Sequence, residues 1–188
     1  MNILSIIDKY CRDNPKLRDI LITHSRQVAD KAVNIARRHP ELNIDIDFLF
    51  DAAMIHDIGI VKTNAPGIEC HGSEPYICHG IIGAKICVEE GLPQFANICE
   101  RHTGAGITAQ EVIQQNLPLP VKDYIPETIE EKLICYADKF FSKSHLDQEK
   151  TPEQVMDSLQ KFGTDTVSRF KILHQLFKST YSQSRKSS

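Results

Sequence analysis

The chain has 188 residues, 41% of them hydrophobic and 25% charged, with a formal net charge of −3 at pH 7. That length supports one domain with a continuous core, and the charge, without any Lys/Arg run, speaks against a surface built for a nucleic acid polymer. No apolar run approaches the roughly 20 residues of a membrane span and no secretory leader pattern opens the chain, so a cytoplasmic protein with no membrane partner is expected.

Nearly every segment reads as helix. Residues 3–11 carry Ile3, Leu4, Ile6, Ile7 and Tyr10 at amphipathic spacing. Asn14-Pro15 opens a long helix, Pro being tolerated in a first turn, whose inner stripe runs Leu17, Ile20, Leu21, His24, Val28, Ala32, Ile35 and Ala36 as far as His39-Pro40. His24 sits on that stripe at four-residue spacing from Ile20 and Val28; alone, such a histidine is more often a hydrogen-bonded core residue than a ligand. A third helix, 46–57, follows a cap near Asp45 and ends in His56-Asp57, with Gly59 as its stop.

Residues 58–74 hold Gly59, Pro66, Gly67 and Gly72 with little periodicity and read as a long loop carrying Lys62, Glu69 and His71. His79 through Glu90 reads as a helix in which Gly83-Ala84 allows close backbone approach, and Pro93 begins another that leads to Arg101-His102. Thr108 and Glu111 form the pattern of a capping box over a short helix to Gln115. After an extended connector, 117–126, a helix from Glu127 to about Ser142 buries Ile129, Leu133, Ile134, Ala137 and Phe141, with Asp138 on the same broad side. Thr151-Pro152-Glu153-Gln154 starts a further helix, and residues 164–178 give a last one through Val167, Phe170, Leu173, Leu176 and Phe177. The polar stretch 181–188 reads as a tail. No strand, repeat or internal boundary emerges, so an all-α single-domain bundle over 1–180 is expected. The six cysteines (Cys11, Cys70, Cys78, Cys87, Cys99 and Cys135) contain no Cys-x-x-Cys, and reduced thiols are expected.

Six residues of metal-ligand type then fall at helix ends or on inner faces: His24, His56, Asp57, His79, His102 and Asp138. Neighbours such as His56 and Asp57 point about 100° apart on a helix, so they cooperate only by leaning into one pocket at its end. Imidazoles and carboxylates without thiolate suit divalent first-row ions (Fe, Mn, Co or Zn). Four donors complete a mononuclear site; six with a bridging carboxylate hold two ions, an arrangement that serves hydrolysis at phosphorus. Lys62, His71, Arg101, Lys139 and Lys143 are candidates to bind substrate, Lys62 as a point charge on a phosphate.

His24, His56-Asp57 and Asp138, with the stretch His56-Asp57-Ile58-Gly59, resemble the ordered signature of the HD-domain metal-dependent phosphohydrolases, in its HDIG variant, over core motifs spanning 21–143. Ala137-Asp138-Lys139 looks like that family's final-ligand segment, and His79 and His102 resemble the extra histidines of its binuclear branch. The resemblance implies an HD-type helical fold. His24, His56, Asp57 and Asp138 would hold one divalent ion, and Asp57 would bridge to a second held by His79 and His102. His56, Asp57 and Lys62 would be the catalytic residues, acting on a small phosphorylated compound such as a nucleotide. After His102 the chain reads Thr103-Gly-Ala-Gly106, where the cyclic-dinucleotide phosphodiesterases of that branch carry Gly-Tyr-Pro. The same donors would also serve a di-iron oxygenase or a non-catalytic metal-binding sensor, and a homodimer stays open.

Overall fold

The computed structural model describes residues 2–178, and the expected tail at 181–188 lies outside them. The all-α expectation holds. Helix α1 (Ile3–Tyr10) is capped by Asn2, and α2 (Pro15–Arg38) by Asn14, whose side chain accepts from the Leu17 amide. The cap supplies one of the acceptors that the first helical amides lack. On α2 the buried positions Leu17, Leu21, His24, Val28, Ala32, Ile35 and Ala36 follow the expected stripe. Helix α3 (Ile46–Ile55), capped by Asp45, packs on α2. Together with α7 (Ile129–Asp138) they surround a core that runs continuously from Ile3 to Phe177.

Helix α4 (His79–Glu89) packs on α5 (Ala96–Arg101) and on the segment that follows α3. Helix α6 (Ala109–Gln114) carries the expected capping box between Thr108 and Glu111, and α8 (Pro152–Leu159) carries one between Thr151 and Gln154. Helix α9 (Thr164–Phe177) lays Phe170 and Phe177 on Tyr136 of α7, each with ring centroids 5.5 Å apart. Leu176, expected inside, is 40% exposed, and Leu4 of α1 is likewise exposed; both lie on the solvent side of their helices. All six cysteines are free and buried.

The expected loop 58–74 is more ordered than its composition suggests. It opens as a 3-10 segment, Ile58–Lys62, and continues into a small sheet of β1 (Thr63–Ala65), β2 (Cys70–His71) and β3 (Glu74–Pro75). The order is β2-β1-β3, with β1 antiparallel to β2 (Asn64 opposite His71) and parallel to β3 (Thr63 opposite Glu74). Strands this short show no alternation to read. What orders them is tertiary: the Gly72 amide donates to the Thr63 carbonyl at 2.8 Å, and Asn14 of the α2 cap donates its side-chain amide to the Glu69 carbonyl at 2.8 Å.

Gly59 also differs from its expected role. Its φ is not positive, so it is no left-handed helix stop. It is a contact point instead: a Cβ there would lie 1.9 Å from the His79 carbonyl oxygen and 2.5 Å from the Gly83 amide nitrogen. The expected close approach at Gly83 is therefore made to the chain immediately after Asp57.

Candidate metal centre

Five elements deliver the six ligand-type residues to one point. His24 comes from the middle of α2, His56 and Asp57 from the end of α3, His79 from the first residue of α4, His102 from just past α5, and Asp138 from the last residue of α7. All six are buried, with His56 and Asp57 at 0% exposure.

Asp57 stands at the centre. Its Oδ2 lies 3.0 Å from His24 Nε2 and 3.0 Å from His56 Nε2, while Asp138 Oδ1 lies 2.9 Å from His24 Nε2 and 3.5 Å from His56 Nε2. Its other oxygen, Oδ1, faces the opposite pair, 3.3 Å from His102 Nε2 and 3.6 Å from His79 Nε2. The donors thus fall into two sets, His24-His56-Asp57-Asp138 and Asp57-His79-His102, each with its ligand atoms within 4.8 Å of one another. They share Asp57, one oxygen to each.

Backbone carbonyls orient three of the imidazoles in the same way. His56 Nδ1 donates to the Ala53 carbonyl at 2.6 Å, His79 Nδ1 to the Tyr76 carbonyl at 2.7 Å, and His102 Nδ1 to the Cys99 carbonyl at 2.8 Å. Each acceptor lies three residues earlier, so helix-end geometry itself supplies it. With the proton drawn to Nδ1, the lone pair is left on Nε2, the nitrogen that faces Asp57. Tyr76 adds a ring stacked on His79, with centroids 4.8 Å apart.

A metal fits this arrangement. His56 Nε2 and both oxygens of Asp57 are fully buried and make no hydrogen bond among the described residues, although His56 Nε2 lies 3.0 Å from Asp57 Oδ2 and His79 Nε2 lies 3.6 Å from Asp57 Oδ1. Buried polar atoms left in that condition cost free energy unless something else satisfies them. Two lone-pair nitrogens, His79 Nε2 and His102 Nε2, also face each other at 3.0 Å. Donor atoms converging in this way could hold a divalent metal.

The electrostatics agree for the two carboxylates and for His79 and His102. Burial works to raise Asp57, but Lys143 and His56 beside it hold its carboxyl well below the usual range. Asp138 is held low against burial by Lys139 and by its contact with His24. Burial, reinforced by neighbouring His102, pushes His79 down to about 3, and burial lowers His102 as well. Burial works to lower His56, but Asp57 and Asp138 beside it raise it to about 9, so a metal bound there displaces its proton. The ionised carboxylates and the neutral His79 and His102 are already in the forms that bind divalent metal.

The centre opens into a cavity of about 710 Å³, lined at its inner end by His79, His102, Asp138, Lys139 and Lys143. Lys143 Nζ lies 2.6 Å from Asp57 Oδ2, and Lys139 Nζ lies 2.5 Å from Asp138 Oδ2 and donates to the His102 carbonyl at 3.2 Å. Of the five expected substrate-binding residues, the fold brings these two lysines to the cavity and leaves three outside its lining. Lys62 is exposed at the end of the 3-10 segment, because the Gly59 contact lays that segment along α4. His71 is exposed on β2 beside Glu69, with 3.4 Å between Nε2 and Oε2. Arg101 turns away to Glu127 and Glu131, at 2.8 and 3.1 Å. Two further lysines, Lys150 and Lys161, line the cavity without any sequence signal, since both lie well beyond Asp138, the last ligand-type residue of the chain.

Comparison with known proteins follows the same lines. The model of the HD domain family matches residues 21–142. The chain is 35% identical over 167 residues to a tRNA (cytidine(56)-2'-O)-methyltransferase of Thermoplasma volcanium, covering 88% of this chain and 44% of that protein. It is 38% identical over 159 residues to the same-named protein of Picrophilus torridus, covering 84% and 41%. The chain therefore spans less than half the length of these two relatives. An uncharacterised protein of Methanocaldococcus jannaschii is 36% identical over 138 residues, with 72% of this chain and 70% of that one covered. Among solved structures, the HD domain of the L. monocytogenes phosphodiesterase PgpH superposes with a TM-score of 0.54 at 17% identity, covering 92% of this chain and 94% of that one. The same domain in complex with cyclic-di-AMP gives 0.52. At that identity the likeness is one of fold.

Proposed function

Because the chain belongs to the HD domain family, we propose that it is a metal-dependent phosphohydrolase acting on a small phosphorylated compound, with divalent ions held by His24, His56, Asp57 and Asp138 and by Asp57, His79 and His102. The observation that carries this reading is the division of Asp57, whose Oδ2 faces one set of imidazoles and whose Oδ1 faces the other. Divalent ions bound there supply Lewis acidity toward phosphoryl oxygens and lower the pKa of water, the two things hydrolysis of a phosphoester needs most.

The rest of the chemistry belongs to the chain. Carbonyls of Ala53, Tyr76 and Cys99 hold three imidazoles in the ligating orientation, so no reorganisation is needed when they bind metal. Lys139 and Lys143 place two ammonium groups at the inner end of the cavity, where the charge of a phosphoryl group would fall. Lys143 rests against Asp57, the shared ligand, so a substrate phosphate that draws the ammonium toward itself also frees that carboxylate. The reading rests on these residues; the methyltransferase names describe proteins of which this chain matches less than half.

The test is phosphate release from a panel of nucleotides and other phosphoesters, with and without added Mn²⁺, and with O₂ uptake followed in parallel. Metal-dependent release that disappears in Asp57→Ala is expected. Metal-replete protein that releases no phosphate but consumes O₂ with iron would replace this reading by an oxidative one.

A further inference from the structure

The cavity reaches well beyond the metal centre, and its outer part has a charge that the metal centre does not use. Four lysines line it, Lys139, Lys143, Lys150 and Lys161, against two carboxylates, Glu111 and Asp138. Both carboxylates are already matched, Glu111 by Arg169 at 2.8 Å and Asp138 by Lys139. Lys143 is matched by Asp57. That leaves Lys150 and Lys161, for which no carboxylate partner stands within ion-pair distance among the described residues; Lys161 Nζ lies over the Phe162 ring, 4.9 Å from its centroid.

The two lysines flank α8. Lys150 precedes the Thr151 cap of α8, its backbone amide held by the Phe140 carbonyl at 2.8 Å, and Lys161 lies in the 3-10 turn after the helix. Both line the same cavity, Lys150 half-buried and Lys161 exposed; burial lowers Lys150, with Asp138 opposing and Lys139 and Lys161 adding to the effect. Two ammonium groups without a carboxylate partner on one cavity wall give it a positive potential that attracts an anion. The rest of the lining of this cavity is largely apolar, with Ile68, Ile107, Leu117, Phe141, Leu159 and Phe162 contributing.

We infer that Lys150 and Lys161 form a second anion subsite, and that the ligand of this cavity is an organic compound with two anionic groups separated by an apolar or aromatic body. One group, a phosphoryl, lies at the metal centre; the other lies between Lys150 and Lys161. The inference deepens the hydrolase reading and rests on it for the identity of the inner group.

Non-hydrolysable probes test it without reliance on turnover. Binding of alkane-α,ω-bisphosphonates with four to ten carbons is compared by calorimetry with that of monophosphonates of the same length, on Mn²⁺-loaded protein. At the length that spans the two subsites, the bisphosphonate binds at least tenfold tighter than its monophosphonate. Lys150→Met plus Lys161→Met removes that advantage and changes monophosphonate affinity less than threefold. A wild type that takes bisphosphonates no tighter than monophosphonates at every length overturns the inference, and so does an advantage that the double variant retains. Failure of the hydrolase reading shows separately, as an intact bisphosphonate advantage in a protein that releases no phosphate from any ester.

Discussion

A β-carbon at Gly59 would stand 1.9 Å from the carbonyl oxygen of His79, so the turn after His56-Asp57 and the first turn of α4 are in direct backbone contact. Through that contact the end of one helix sets the position of the other, and with it the distance from Asp57 to His79. Neither atom in the clash can be moved by turning a side chain.

Gly59→Ala is therefore expected to separate the two halves of the centre. Overpacking against rigid backbone costs about 3 kcal/mol, which for a chain of this size lowers Tm by roughly 6–12 °C. Metal content should fall more at the Asp57-His79-His102 set than at the other. A variant with unchanged Tm and full metal content would show that the contact sets nothing.

Metal per chain, measured after purification without chelator, separates a binuclear from a mononuclear centre. Two ions are expected in the wild type and one in His79→Ala plus His102→Ala, because that change removes two of the three donors of one set and none of the other. Asp57→Ala takes a donor from both sets and should lose both ions. One ion in both the wild type and the double variant would leave a mononuclear site on His24, His56, Asp57 and Asp138.

Lys143→Met addresses the ammonium that lies 2.6 Å from Asp57 Oδ2. A cation there competes with metal for the same oxygen, so its removal should tighten metal binding on the order of tenfold, or about 1.4 kcal/mol. The same change removes a positive charge from the substrate end of the cavity and should raise KM for phosphoesters. Metal titration and steady-state kinetics on one preparation check both halves; weaker metal binding in the variant would contradict the competition.

Arg169 of α9 is bound to Glu111 of α6 and to the carbonyls of Ala105 and Gly106, bracing the glycine-rich loop after His102. Burial acts to raise Glu111, but Arg169 and the capping bonds outweigh it and its carboxyl titrates below the ordinary value of 4.5. A carboxyl depressed by folding stabilises the native state above its unfolded pKa, and that contribution is lost as pH falls through the folded value. Glu111→Gln should cost about 1–2 kcal/mol at pH 7, with a deficit that shrinks toward pH 3. Thermal melts of both proteins across that range check it; parallel curves would deny the pair a role in acid stability.

The ligand-type residues were legible because their signal is local. An imidazole or carboxylate at a helix end is marked by residue type and by the Gly, Pro or cap beside it, and the bonds that orient His56, His79 and His102 run only three residues back along the chain. The caps at Asn14, Asp45, Thr108 and Thr151 were readable for the same reason. Lys62 lies outside the cavity lining because proximity in sequence to His56 says nothing of which way a 3-10 segment runs once Gly59 is pressed on α4.

Sequence by itself determined the helical class, the family resemblance and the six ligand-type side chains, since helix periodicity and donor chemistry are properties of short stretches. Only the tertiary structure decided that Asp57 turns one oxygen to each set of imidazoles, and that residues 63–75 pair as a sheet. It also decided that Lys139, Lys143, Lys150 and Lys161 share one cavity while Arg101 is consumed by Glu127 and Glu131. Those facts depend on which surfaces of distant segments meet, and long-range packing sets that outcome, as no local spacing does.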